Sequence, residues 1–184
     1  MKTYPLLLAA LLSLSQCKKK SDPAPVDQLP PITQIGANSF GCLLNGQAWT
    51  PSGNDGTENY RVTYDPTYHG GNLAIRVYRY IGDTHKFQSF LIGGDQINQT
   101  GSYSFTTSST SPTPGPRNIY FSDGTQSSPC NNYGTNPGTM IKGQLVVTRL
   151  DLMAGIVSGT FAFTLYQPGC DSIRVTEGRF DKKL

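Results

Sequence analysis

His69 and His85 are the only two histidines in the 184-residue chain, and both sit in polar, turn-forming sequence. A buried general base, or a metal held by two imidazoles, would need the fold to bring them together. The spacings that mark a catalytic set are missing: there is no Gly-x-Ser-x-Gly elbow, no His-Glu-x-x-His, no Cys-x-x-Cys and no phosphate loop. Glycoside hydrolysis would need two carboxylates whose separation in space decides the outcome. Glu58, Glu177 and the aspartates are the candidates, nothing in the sequence selects a pair, and solvated surface acids describe them best. The sequence therefore predicts a protein that is not an enzyme and carries no cofactor.

Oxygen donors gather in Ser52, Gly53, Asn54, Asp55, Gly56, Thr57, Glu58 and Asn59, a set suited to a hard cation such as calcium. The spacing is not that of an EF-hand. Asn, Asp and Gly also tolerate left-handed backbone, so a turn without metal is expected. Tyrosines are spread through the chain from Tyr60 to Tyr166. Such rings favour strands for packing reasons, but their amphipathic faces also suit sugar or protein surfaces. Tyr78 and Tyr80 alternate onto the same side as Arg76, so Arg76, Tyr78 and Tyr80 form the expected ligand face, for a glycan or an envelope protein.

Cysteine adds a second kind of chemistry. Cys42 lies in the apolar run Phe40 to Leu44, where a small thiol would be buried, whereas Cys130 and Cys170 both sit among turn residues. Spacing does not fix connectivity, but this setting favours a Cys130–Cys170 bridge with Cys42 left over. Cys17 belongs to a different context. Lys2 precedes an apolar stretch from Pro5 to Leu14, followed by Ser15, Gln16 and Cys17. That is the layout of a signal peptide over residues 1–16, and it is shorter than the roughly 20 residues of a spanning helix.

Leu14, Ser15, Gln16 and Cys17 resemble a bacterial lipobox, with Gln16 standing where a small residue is usual. The resemblance implies that Cys17 is lipidated and becomes the first mature residue. Ordinary cleavage to a free protein is the alternative. Lys18, Lys19 and Lys20 follow, then a Pro-rich run, so residues 17–37 read as a lipid-bearing Cys and a flexible tether. The expected partner is a membrane, reached through the lipid anchor, and the expected address is the cell envelope, at the outer membrane. Without Lys2 the mature chain has 15 − 1 = 14 basic against 12 acidic side chains, and three of the positives sit in the tether. No basic stripe of the kind that binds nucleic acid is present.

Residues 38–184 must supply the fold. Val157, Gly159, Phe161, Phe163 and Leu165 alternate with Ser158, Thr160, Ala162, Thr164 and Tyr166, which predicts a half-buried strand. Leu73, Ile75 and Val77 alternate with Arg76, Tyr78 and Tyr80 after a turn at His69 to Asn72, and pair with Arg61 to Tyr64. Asn45-Gly46 predicts a tight hairpin that sends Trp49 into the core. Further strands are expected at 87–92, 102–106, 118–122, 140–152 and 172–180, with a surface loop at 107–116. The segment 140–152 keeps no clean face, which means a bulge near Gly143 or burial on both sides. The fold class is all-β, an antiparallel β-sandwich in one domain, with a β-barrel as the alternative.

Phe40-Gly41-Cys42-Leu43-Leu44-Asn45-Gly46-Gln47-Ala48-Trp49, together with Ser158-Gly159-Thr160-Phe161 and the stretch through Gly178-Arg179-Phe180-Asp181, resembles a domain-of-unknown-function family of Bacteroidetes-type lipoproteins. The resemblance spans most of the mature chain. It implies an exported, β-rich lipoprotein and carries over no activity and no catalytic residue. The function expected on these grounds is a non-catalytic envelope module that binds glycans or proteins. A structural or adhesive component, or a hydrolase with an unrecognised site, is the alternative.

Overall fold

Alternation of apolar and polar side chains is realised as strands in two stacked sheets. The computed structural model describes residues 22–54, 56–82, 85–107, 117–134 and 138–184. The expected signal peptide, Cys17 and its lysines, Asp55 and residues 108–116 lie outside them. The first sheet, A, contains β1 (Ser39–Leu44), β2 (Gln47–Trp49), β6 (Gly101–Thr107), β9 (Met140–Asp151), β10 (Ile156–Tyr166) and β11 (Ile173–Lys183), in the order β2-β1-β11-β10-β9-β6. The second, B, contains β3 (Tyr60–Asp65), β4 (Asn72–Tyr80), β5 (Phe87–Gly94), β7 (Arg117–Asp123) and β8 (Asn132–Tyr133), in the order β3-β4-β5-β7-β8. Every pairing between these strands is antiparallel. The sheets pack face to face as a sandwich and do not close into a barrel.

The Asn45-Gly46 turn has positive φ at both residues, 48° and 82°, as a primed hairpin turn requires. It pairs Leu44 with Gln47 and carries Trp49 into the interior, where its ring meets Phe40 at 5.9 Å and Phe90 at 5.0 Å. Phe90 continues to Phe121 at 4.6 Å, and Phe40 stacks on Phe161 at 5.3 Å. These rings come from both sheets and form the spine of the core. Each edge-to-face or offset pair adds about 0.5–1.5 kcal/mol beyond the area it buries.

In β9 the irregularity is not at Gly143. That residue stays in register with Phe163 on one side and Phe105 on the other. A Cβ there would fall 2.4 Å from the Ala162 carbonyl oxygen, so this glycine serves close approach of strands. The bulge lies at Thr148, where Ser158 pairs with Arg149 and Gly159 with Val147.

The amino-terminal stretch also differs from expectation. Residues 17–37 read as a tether, yet from Leu29 to Ala37 the chain is a strap across the outer face of sheet A. Leu29 is buried, Pro30 lies on Gly41, and Arg179 donates to the Pro30 carbonyl at 3.4 Å while Arg149 donates to that of Gln34. The strap ends in a wrap around the Asp181 carboxylate, which is 1% exposed. Thr33 Oγ1 (2.6 Å) and the amides of Ile35 (3.0 Å) and Ala37 (3.0 Å) donate to Oδ2, while the Gly36 amide (2.9 Å) and Ser158 Oγ (2.6 Å) donate to Oδ1. Gly36 at φ +75° lets the three amides converge. A Pro-rich stretch gave no sign of this, because its partner lies more than 140 residues away.

Burial pushes the Asp181 carboxyl upward, but the hydroxyls of Ser158 and Thr33 and the strap amides outweigh it and hold the group at about 2. Since the folded value lies below the ordinary 3.8, the stabilisation is complete above that pH and is lost as pH falls through about 2. Replacing Asp181→Asn removes the charge but keeps one acceptor, and should cost about 2–4 kcal/mol at neutral pH. Urea midpoints measured at a series of pH values should fall more steeply with acidification for wild type than for the variant. Parallel pH profiles would contradict this role.

Candidate ligand face

On β4 the side chains of Leu73, Ile75 and Val77 are buried in the core, which turns Arg76, Tyr78 and Tyr80 outward. Register then fixes their neighbours. Arg61, Arg76, Leu91 and Tyr120 form one row across β3, β4, β5 and β7. Tyr78, Ser89, Ser122 and Asn132 form the next across β4, β5, β7 and β8. A groove of about 550 Å³ opens over these rows. With strands about 4.8 Å apart, the face from β3 to β8 is roughly 19 Å wide.

The rings on this face are held in place. Tyr78 donates its hydroxyl to the Thr57 carbonyl at 2.8 Å and meets Tyr80 edge-on at 5.8 Å. Asn118 Nδ2 donates to the Tyr120 hydroxyl at 3.1 Å. Tyr80 itself is covered by Gly53, whose Cβ would fall 2.5 Å from the ring, and packs on Phe87 at 6.0 Å. Of the three residues expected from the sequence, Arg76 and Tyr78 line the groove and Tyr80 supports Tyr78 from behind. Sequence reasoning missed Arg61, Leu91, Phe87 and Tyr120. Arg61 was accessible from the predicted β3–β4 hairpin, whereas Tyr120 depends on a long-range register that no local signal specifies.

The groove contains one carboxylate, Glu58, and it is taken by Lys182 Nζ, which also donates to the Tyr60 carbonyl at 3.0 Å and sits over the Tyr60 ring. Among the described residues no second acid converges on it. Arg61 and Arg76 are exposed, and neither guanidinium has a hydrogen-bond or ion-pair partner among the described residues.

The other candidates resolve differently. His69 and His85 flank opposite ends of β4, which spans roughly 27 Å, so they share no site. His69 Nδ1 lies 2.9 Å from Asp95 Oδ2. Asp95 is held below the usual carboxylate range, chiefly by the Asn72 amide and then by His69. In the 52–59 loop, Asn54 Oδ1 accepts from the Gly56 amide at 2.7 Å and Asn59 Nδ2 donates to the Gly53 carbonyl at 2.9 Å. Among the described residues no group of three or more His, Cys, Asp or Glu could hold a metal ion.

Cys130 and Cys170 are joined, with Cα atoms 5.4 Å apart. The bond ties the β7–β8 loop to the β10–β11 turn, alongside a Tyr133 hydroxyl donation to the Asp171 carbonyl at 2.6 Å. A hollow of about 450 Å³ beside it includes Asp123 and Asp171. Asp123 is already engaged, accepting from Thr125 at 2.6 and 2.9 Å and from Gln88 Nε2 at 2.8 Å. Gln88 in turn accepts from Trp49 Nε1 and Arg79, so this is a structural network at the end of the core. Cys42 lies nearby, fully buried. Burial pushes its thiol up to about 12, against a smaller opposing pull from Arg79.

Comparison with protein-family models, curated proteins and solved structures gave no match for this chain.

A thiol so far above neutral pH is unreactive. Iodoacetamide at pH 7.5 should leave Cys42 unmodified in the folded protein and label it after unfolding, while non-reducing peptide maps recover Cys130 linked to Cys170. Rapid labelling of native Cys42, or Cys42 in a disulfide, would refute the arrangement.

Proposed function

We propose that this chain is a non-catalytic binding module of the bacterial cell envelope, held at the outer membrane by lipid on Cys17, which binds glycans on the outer face of sheet B. The observation that carries the reading is an asymmetry between the two outer faces. The strap from Leu29 to Ala37 lies across sheet A and leaves beside Ile32 a smaller hollow of about 260 Å³, while sheet B presents a groove of about 550 Å³ bordered by Tyr78, Tyr120 and the exposed Phe87. Flat aromatic faces with hydroxyl and amide neighbours such as Ser89 and Asn132 suit the alternating apolar and polar surfaces of sugar rings. A glycoside hydrolase would instead need two converging acids, and the one carboxylate lining the groove among the described residues is already paired.

The signal-like residues 1–16, Cys17 and the lysines behind it support the anchor. Each buried methylene contributes about 0.8 kcal/mol, so two or more acyl chains hold a protein stably. With the strap packed from Leu29, the chain between Cys17 and the sandwich reaches at most roughly 40 Å, which keeps the module close to the membrane surface.

Replacing Tyr78→Ala or Tyr120→Ala should lower capture of a polysaccharide ligand roughly tenfold, equivalent to about 1.4 kcal/mol for a lost ring contact. Capture by both variants equal to wild type would remove this face as the site. Intact mass of the mature protein should show a chain beginning at Cys17 with added acyl mass, and an unacylated product would refute the anchor.

A further inference from the structure

Resting on the reading of sheet B as a glycan face, we propose that its ligand is an anionic polysaccharide, with the acidic group on the sugar held by Arg61 and Arg76. The two arginines are direct cross-strand partners in the β3–β4 register. Like charges placed opposite each other on a sheet are destabilising, and nothing among the described residues neutralises this pair. Four of the other five arginines have side-chain partners among the described residues, the exception being the exposed Arg174, which has no like charge opposite it. Arg149 pairs with Asp151, Arg179 with Glu177, Arg79 donates to Gln88, and Arg117 donates to the Ser104 carbonyl and lies over Tyr103. Among the described residues the acid lining the same groove, Glu58, is bound by Lys182.

The position of the pair explains what the repulsion is for. Arg76 stands in one row with Leu91 and Tyr120 and one outward step from Tyr78. A sugar stacked on those rings would present an equatorial or exocyclic acid group toward the β3–β4 edge. Two planar guanidinium forks with Cβ atoms about 5 Å apart can each offer paired N–H donors to it. The acid chemistry is a carboxylate, as in a uronic acid, or a sulfate ester, and both accept such forks. An acidic peptide would satisfy the arginines but would leave the adjoining aromatic surface without a planar partner. Binding of this kind relieves a like-charge contact, so affinity gains from ligand charge and weakens as salt screens it.

The test uses the full mature protein with four probes: oligogalacturonate, dextran sulfate, neutral dextran and poly-glutamate, each titrated at low and at physiological salt. Oligogalacturonate or dextran sulfate should bind at least tenfold tighter than neutral dextran, and the preferred one identifies carboxylate or sulfate as the group recognised. Arg61→Gln/Arg76→Gln should lose that preference, and Tyr78→Ala should weaken binding to the same probe. Because the double change removes repulsion, its melting temperature should match or exceed wild type, which separates lost recognition from lost folding. Equal binding of neutral dextran, unaffected by the arginine changes, would overturn the proposal while leaving the glycan face intact. Poly-glutamate bound as tightly as the acidic glycans and insensitive to Tyr78→Ala would overturn it in favour of a protein ligand. Binding of none of the four probes would overturn the proposal, and the glycan reading with it if the Tyr78→Ala variant also matched wild type in polysaccharide capture.

Discussion

Burial of one face of each sheet against the other is the constraint from which the remaining features follow. Leu73, Ile75 and Val77 cannot reach the Phe90–Phe121 layer without Arg76 and Tyr78 turning to solvent, because a strand alternates its side chains with a period of two. A register slip of one residue would carry an apolar row to water and the arginines into the core, at a cost of many kcal/mol. The outward rows are therefore as strictly specified as the inward ones. The candidate ligand face needs no strain or special loop to exist; it is the reverse side of the core.

What differs between the two outer faces is occupancy. Sheet A spends its outer face on the amino-terminal strap, and the Asp181 carboxylate converts a Pro-rich stretch whose Ile32 and Ile35 stay exposed into fixed structure. A buried carboxylate is costly unless its oxygens are satisfied, and here Thr33, Ser158 and three amides satisfy them. Among the described residues sheet B has no such cover. Its stability comes instead from the aromatic core, from the β3–β4–β5–β7 ladder, and from the Cys130–Cys170 link that ties its β8 edge region to the turn before β11. Among the described residues the outer face of sheet B stays open while that of sheet A holds the strap.

Much of this was legible in the residues themselves. The Asn45-Gly46 hairpin, the burial of Trp49, the β3–β4 hairpin and the alternation in β10 all depend on local patterns, and local patterns are what a single sequence records. Arg76 and Tyr78 were found on the outward face for the same reason. The strap was missed because its partner, Asp181, is distant in sequence, and isolated Pro and Thr residues do not announce a carboxylate. For 140–152 the sequence leaves a bulge near Gly143 or burial on both sides open, because glycine in a strand marks either a bulge or close packing, and only the pairing of β9 with both neighbours distinguishes them. Tyr120 escaped because β6, a strand of the other sheet, stands between β5 and β7 in the chain, so no local pattern sets their register.

The central claim is that contact with other molecules is made by the outer face of sheet B. Amide chemical shifts of the isotopically labelled protein, followed during titration with oligogalacturonate, test it residue by residue. The account predicts that the perturbed amides cluster at Arg61, Arg76, Tyr78, Leu91 and Tyr120, with the strap and the disulfide hollow unchanged. Perturbations centred on the strap, on the outer face of sheet A or beside Cys130 and Cys170 would contradict it.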